Sequence, residues 1–368
     1  MKCTLAKATK SIYSHIKPLS LNESVPLMKA FGRVSAKDIR ARFDIPPFPI
    51  SLRDGRVVKK GDDLNSPSSL SKIFTGQKVP KDTLFIIEEE SVHLKSDKKD
   101  LAKEIFIKSQ GEDIRKDELL VRRGSKIGPF DITNLATQGM HTIAVLKEAR
   151  IAYVGVGNEL IDVSAPAQKS SVFNSNAYTL ASRGEMMGAR TATITNTSDS
   201  KEAILQIFED LEHVDAIITS GGMSKNDSIS SLLNSSILKP LFQGVAIAPA
   251  GLSALSFYNS TPILHLPGLP MSALLGFEVI GAALIRRLYG MSGDENKIVT
   301  KSTKKIKAHP FSQSIVPGIF NGESFSPKKI AAGMINVLNY CNGFIFVDNK
   351  NDIDEGGEVI FYPFLSWN

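Results

Sequence analysis

Cysteine is almost missing from this chain: two occur, Cys3 and Cys341, with no CxxC or CxxH spacing. That excludes a disulfide framework and a structural zinc site and fits a reducing cytoplasm. Long apolar runs are missing too. "MKCTLAKATKSIYSHIKPLS" has no apolar core of signal-peptide length, and no later segment offers about 20 apolar residues free of charge. The longest, "MSALLGFEVIGAALI", carries Glu278 and reads as a buried helix, so no membrane span is expected. Neither sign of charge dominates: 44 Lys and Arg face 38 Asp and Glu, a net of +6. The basic residues are scattered apart from clusters such as "KSTKKIK" (301–307), and aromatics make up only 7%. A nucleic-acid binder gathers its charge on one element and interleaves aromatics, so that class is excluded. A mild positive excess suits small anionic ligands, by an attraction that salt weakens. The six histidines, at 15, 93, 141, 213, 265 and 309, show no metal-ligand spacing, and His265 in an apolar strand reads as a core residue. No Ser-His-Asp or Cys-His order stands out.

With 42% hydrophobic residues in a chain of 368, two to four domains are expected, at about 100–200 residues each. From residue 150 onward, β-branched runs alternate with helical patterns. "RIAYVGV" (150–156), "RTATITN" (190–196), "DAIIT" (215–219) and "PILHL" (262–266) read as strands. "SNAYTLASRGEMMG", closed by Gly188, "SDSKEAILQIFEDLEHV" (198–214), residues 227–236 and "MSALLGFEVIGAALIRRLYG" read as helices. In the second of these helices Ile204, Ile207, Phe208 and Leu211 share a face, and Asp199 and Glu202 are spaced like a capping box. Repeated strand–helix units predict a parallel sheet covered on both faces, with ligands at the carboxyl ends of its strands. The first 150 residues differ. Helices are predicted over 3–17 and near 22–31, then an extended "RFDIPPFPISLRDG". A small β domain follows between 55 and 109 ("GRVV", "KIFTG", "TLFIIEEESVHL", "EIFIKS"), with "KSDKKD" (95–100) as a solvated turn. A helix is expected over 129–141, and the tail from 291 reads as another β module.

The chemistry gathers at two turns. Gly221 and Gly222 follow a strand and precede a helix, in "DAIITSGGMSKNDSISS", so bare amides there can approach an oxyanion. A phosphate is the natural guest. "HLPGLPMSALL" (265–275) repeats the logic: Pro267, Gly268 and Pro270 fix a tight turn, and Ser272 either caps the helix or binds a ligand. Two such turns on one sheet edge would make a cleft. Glu159 and Asp227 sit at that edge. A carboxylate beside a phosphate holds a cation such as Mg²⁺, orients a water or caps a helix, and for Asp227 the helix N-cap and the metal ligand stay equally open. Asp54, in "RDG", is either functional or a turn residue.

The order of motifs resembles the molybdopterin molybdenumtransferase family, the MoeA and gephyrin E-domain proteins. "DIPPFPISLRDG", "KIFTGQKVP", "GEDIRKDELL", "GNEL", "FNSNAYTL", "DAIITSGGMSKND", "HLPGLPMSAL" and "NGFIFVD…GGEVIFYPF" occur in family order over nearly the whole chain. The resemblance implies a multidomain α/β fold. A split arm (1–43 and 110–148) and an inserted β domain (44–109) precede a molybdopterin-binding α/β domain (149–290) with a parallel sheet and a C-terminal β-barrel (291–368). It implies a cytoplasmic homodimer, its cleft completed by the partner's inserted domain. The implied partners are small anionic substrates and the molybdopterin adenylyltransferase. The implied reaction takes adenylylated molybdopterin and molybdate with Mg²⁺, releases AMP and leaves molybdenum on the dithiolene. Position by position, Asp54, Glu159 and Asp227 match catalytic acids, Asp227 and Glu159 also as metal ligands. Thr75 and Gly76 match the inserted-domain "TG". Ser220, Gly221, Gly222 and Ser224 match the phosphate-holding turn, and Pro267, Gly268, Pro270 and Ser272 match "PGNPVS".

Several positions depart from the family pattern. Pro49 replaces Asp, Arg53 replaces Met, Asn158 and Ile229 replace acids, and Leu269 replaces Asn. "KPGKP" is "APAGL" here, putting Ala248 and Gly251 where two lysines would grip an anion. A lost charge-assisted bond is worth about 1.5–3 kcal/mol. Lys225, in place of a small apolar residue, restores one charge but not both geometries. Two other readings therefore stand beside the transferase: an impaired paralogue that binds molybdopterin or nucleotide as a scaffold, and a nucleotide hydrolase of the competence-damage type.

Overall fold

The structure, a computed structural model, describes residues 2–92, 106–235, 237–291, 297–331 and 333–364. The chain divides into two units, Met1–Leu21 with Leu146–Asn368, and Asn22–Val145.

The first unit is built on a six-stranded sheet. Its strands are β1 (Arg150–Val156), β2 (Arg190–Thr197), β3 (Ala216–Gly221), β4 (Lys239–Gln243), β5 (Ala254–Tyr258) and β6 (Thr261–Leu266), in the order β2-β1-β3-β6-β5-β4. The predicted strands β2, β1, β3 and β6 are parallel neighbours. The sheet is larger than expected, because β5 and β4 extend it antiparallel. The central strands β3 and β6 are buried along their full length, as continuous apolar runs covered on both faces must be.

Helices α2 (Ser175–Met186), α3 (Lys201–Asp210), α4 (Ser228–Leu233) and α5 (Pro270–Gly276) follow β-strands as expected. A π-helical turn, Phe277–Gly281, carries α5 directly into α6 (Ala282–Leu288). A Cβ on Gly281 would lie 2.4 Å from the Phe277 ring, so the widened turn needs a bare residue there. The cap of α3 is one residue later than predicted: Ser200 Oγ accepts from Ala203 N at 3.2 Å. Asp199 is thereby free to serve α4 instead. His265 is fully buried on β6 between Thr219 Oγ1 (3.0 Å from Nδ1) and Ser256 Oγ (2.8 Å from Nε2). Burial pushes its pKa down to about 3, so it is a neutral core residue.

Helix α1 (Leu5–His15) belongs to this unit, although the sequence reading placed it with the arm. Ala8 and Ile12, four residues apart on one face, are both fully buried, and the helix packs on α6. The tail forms β7 (Ile298–Ser302), β8 (Gln313–Phe320), β9 (Ser324–Pro327), β10 (Gly343–Val347) and β11 (Glu358–Pro363). The order β8-β9-β7-β11-β10 closes on itself through β8–β10 pairing, giving the expected barrel, and Ile247–Ala248 adds to its β8 edge.

In the second unit, the expected helix over 22–31 is a strand, Asn22–Pro26, followed by one helical turn, Leu27–Ala30. The strand pairs with Thr142–Leu146, a non-local partner that the local pattern could not reveal. Pro129–Thr137 is a helix. The inserted β segment holds Gly55–Lys59 between Lys72–Ile73 and Thr83–Glu88. The strand predicted over "TLFIIEEESVHL" stops at Glu88, where Glu89–Val92 turns helical. "KSDKKD" lies outside the described residues.

Candidate functional site

The carboxyl ends of β1, β3 and β6 open into a cleft of about 610 Å³. Two strand–turn–helix junctions form its floor. Ser220–Ser224 leaves β3 for α4, and Pro267–Pro270 leaves β6 for α5. They touch backbone to backbone, since a Cβ on Gly268 would meet Gly221 Cα at 3.3 Å. Asn176, in the first turn of α2, ties them together: its Nδ2 donates to Ser220 Oγ (2.9 Å) and to the Gly268 carbonyl (2.8 Å). Ser220 Oγ in turn donates to the Pro267 carbonyl at 3.1 Å. Ser220 is only 3% exposed, so its hydroxyl positions the turns.

The two glycines are bare for different reasons. Gly221 has φ +109°, and a Cβ there would lie 2.1 Å from the Val156 carbonyl oxygen. That contact is internal. Gly222 has φ +65° and would meet only the side chains of Val156 and Ile229, at 3.0–3.3 Å. The Ser224 amide is already taken by the Asp227 carboxylate (Oδ2, 2.8 Å). Asp227 holds the N-cap position of α4 but makes no side-chain bond into the helix; it folds back to close the turn and lines the cleft. Because α4 has six residues, its dipole is short, whereas the continuous 270–288 rod presents a longer one at Pro270.

Glu159 also lines the cleft, lying over Gly157, where a Cβ would be 2.7 Å from either carboxylate oxygen. Asp199 lines the cleft as well; its Oδ1 accepts from Ser228 N (3.3 Å), its carbonyl accepts from Ser228 Oγ (2.8 Å), and its amide donates to Asn158 Oδ1 (3.0 Å). One wall is apolar, with Leu160, Val172, Phe173, Leu252 and Leu269. Among the described residues, then, three carboxylates and no Lys, Arg or His line this cleft. Among the described residues, no group of three or more His, Cys, Asp or Glu is placed to hold a metal by itself.

Lys225 is exposed but does not line the cleft. Ser272 is buried on α5, which it does not cap, and it too is absent from the lining. Asp54, Thr75 and Gly76 form a cluster in the second unit. Asp54 Oδ1 accepts from Thr75 N (2.7 Å) and Thr75 Oγ1 (2.8 Å), which holds its carboxyl below the ordinary range. Gly76 has φ +81° and donates its amide to the Ser51 carbonyl at 2.8 Å. Arg53 pairs with Glu88 (3.3 Å) and lies over the Phe106 ring (5.8 Å).

An α/β domain with glycine turns at its carboxyl edge, joined in one chain to a closed five-stranded barrel, defines the class as a multidomain α/β protein. Residues 3–139 match the MoeA N-terminal region (domain I and II), and residues 152–287 match the probable molybdopterin binding domain. The chain belongs to the MoeA family. It is 24% identical over 326 residues to a molybdopterin molybdenumtransferase of Staphylococcus aureus, covering 79% of this chain and 78% of that one. The match to the Haemophilus influenzae molybdopterin molybdenumtransferase is 24% over 378 residues, 95% of this chain and 88% of the other. Its fold is that of a molybdopterin biosynthesis MoeA protein from Pyrococcus horikoshii, with TM-score 0.79, 20% identity, and coverage of 99% and 100%.

Proposed function

We propose that the chain acts in molybdenum cofactor biosynthesis as a molybdopterin molybdenumtransferase, taking adenylylated molybdopterin and molybdate as substrates and releasing AMP. One observation carries the reading: two turns that suit a phosphate meet at the carboxyl edge of a parallel sheet, braced by Asn176 at 2.9 and 2.8 Å. In this reading the backbone from Gly222 onward faces the phosphate. The apolar wall of Phe173, Leu252 and Leu269 takes the planar ring.

Mg²⁺ fits this cleft as a cation carried by the ligand's phosphate, since Mg²⁺ is usually bound by one or two carboxylates plus phosphate oxygens. Asp227 and Glu159 would supply those carboxylates, and the ion would neutralise charge on the phosphate oxygens. Without it, an anion entering here meets the carboxylates of Glu159, Asp199 and Asp227 with no basic side chain among the described lining residues. The protein is proposed to be a cytoplasmic homodimer that receives its substrate from the molybdopterin adenylyltransferase. No helix among the described residues is long and apolar enough to cross a membrane.

The paralogue reading is favoured by one specific feature. A Cβ at Gly251, a position where the family carries a gripping lysine, would lie 2.8 Å from both the Ile247 carbonyl oxygen and Lys2 Nζ. This backbone has no room for that side chain. The hydrolase reading is disfavoured by the match over residues 3–139. Calorimetric titration with molybdopterin, its adenylylated form and molybdate, followed by an AMP-release assay with Mg²⁺, separates the first two. Binding with release supports the transferase, and binding without release supports the paralogue.

A further inference from the structure

The cleft has no basic side chain among its described lining residues, yet a cation is seated beside its apolar wall. The connection between β4 and β5, residues 244–253, folds back on itself: the Gly244 amide donates to the Ser253 carbonyl (3.0 Å) and the Val245 amide to the Gly251 carbonyl (3.2 Å). Its far side brings Leu252 into the cleft wall. The segment leading into α1 is laced to the same connection. Cys3 N donates to the Gly244 carbonyl (3.1 Å) and Ala246 N donates to the Cys3 carbonyl (2.7 Å), a parallel bridge of Cys3 with Val245. This anchor fixes the path of Lys2. Its stem lies over Gly244, where a Cβ would be 3.0 Å from Lys2 Cγ, and its ammonium lies over Gly251, where a Cβ would be 2.8 Å from Nζ. Two bare residues thus leave the groove along which the lysine runs.

The Lys2 side chain makes no hydrogen bond or ion pair among the described residues, and the residue is exposed. Its charge is therefore not neutralised by a protein group. Lys2 does not line the cleft in this conformation, but a flexible four-carbon stem lets the ammonium swing past Gly251 to its neighbour Leu252. We propose that Lys2 is the cation of the cleft, its ammonium receiving a tetrahedral oxyanion on the Leu252 side and offsetting the carboxylates of Glu159, Asp199 and Asp227. The inference rests on the proposed function, in which both substrates bring such a group, a phosphate on molybdopterin and molybdate itself. A charge-assisted bond from an ammonium suits either.

The test is calorimetric titration of the full chain, Lys2→Gln and Lys2→Arg with molybdopterin and, separately, with molybdate, at low and at high salt. Lys2→Gln should weaken at least one of the two probes about tenfold or more at low salt, and by less at high salt. The probe that responds identifies the oxyanion that Lys2 receives. Lys2→Arg keeps the charge and should bind within about threefold of the parent. Urea unfolding should give both variants the parent's midpoint, because the anchor is made by the backbone of Cys3 and not by the Lys2 side chain. The proposal is overturned if Lys2→Gln binds both probes as tightly as the parent, a result that leaves the proposed function standing. It is equally overturned if Lys2→Gln and Lys2→Arg weaken binding alike and both lower the urea midpoint, which would make the side chain a prop for the 244–253 connection. A parent chain that binds neither probe would remove the proposed function, and this inference with it.

Discussion

Replacing Gly221 and Gly222 by alanine, one at a time, separates the architecture of the turn from its use. At Gly221 an added Cβ would sit 2.1 Å from the Val156 carbonyl oxygen, where ordinary contact begins near 3.4 Å. The shortfall of well over 1 Å falls on the carbonyl of a central strand, which cannot rotate away without breaking the ladder. A φ of +109° adds its own strain. Backbone strain of about 1–3 kcal/mol together with overpacking of about 1–3 kcal/mol gives an expected loss of about 2–6 kcal/mol. At Gly222, φ is +65° and the neighbours are flexible side-chain ends at 3.0–3.3 Å. The left-handed penalty of about 1–2 kcal/mol should dominate there. Urea unfolding followed by circular dichroism should show a midpoint drop for Gly221→Ala at least twice that for Gly222→Ala. Ligand binding, measured under conditions where both variants are folded, should suffer more in Gly222→Ala. A Gly221→Ala protein as stable as the parent but unable to bind would show that Gly221 is bare for the ligand's sake, and the packing argument would be wrong.

Three other outcomes are expected. Tyr153 is buried beneath α2 with its hydroxyl unpartnered among the described residues, against Gly184, and burial drives its pKa upward; Tyr153→Phe should therefore be neutral or stabilising by about 1–3 kcal/mol in thermal unfolding, and a loss would reveal a partner for the hydroxyl. For His265, the folded pKa of about 3 lies below the ordinary 6.5, so the unfolded chain binds the extra proton between these values and stability should fall as pH drops from about 6.5 towards 3. His265→Gln should lose that component of the pH dependence of the urea midpoint; an unchanged slope would contradict it. The Arg183–Glu278 pair, 2.7 Å apart with side chains 17% and 7% exposed, should cost about 3–5 kcal/mol when Arg183→Met strands the carboxylate, with most of that recovered in the Arg183→Met, Glu278→Leu double variant; additive losses in the double-mutant cycle would refute the coupling.

Much of this architecture was legible because the parallel strands are apolar runs with their own turn signals. β1 matches the expected 150–156, and β3 and β6 begin within a residue of their expected starts. β4 and β5 were missed. "KPLFQ" begins with a lysine and a proline, and "ALSFY" is too short to show a period, so only their pairing beside β6 makes them strands. The strand Asn22–Pro26 was hidden in the same way, by a partner more than 100 residues on. At the site, the glycine turns announced themselves through spacing. Asn176 and Asp199 did not, because their roles arise only when α2 and the loop after β2 fold against the turns. The motif "FNSNAYTL" was visible, but nothing local says that its second asparagine bridges two carboxyl-edge loops. Gly221 was read as bare for a ligand, whereas its neighbour is the Val156 carbonyl.

The most direct measurement is a crystal structure of the chain grown with adenylylated molybdopterin and Mg²⁺. The proposed function predicts phosphate oxygens within hydrogen-bond distance of the Gly222 and Met223 amides, the ring against Phe173 and Leu252, and the ion between phosphate and Asp227 or Glu159. A ligand bound elsewhere on the chain, with the two turns unchanged and the cleft holding only solvent, would contradict it.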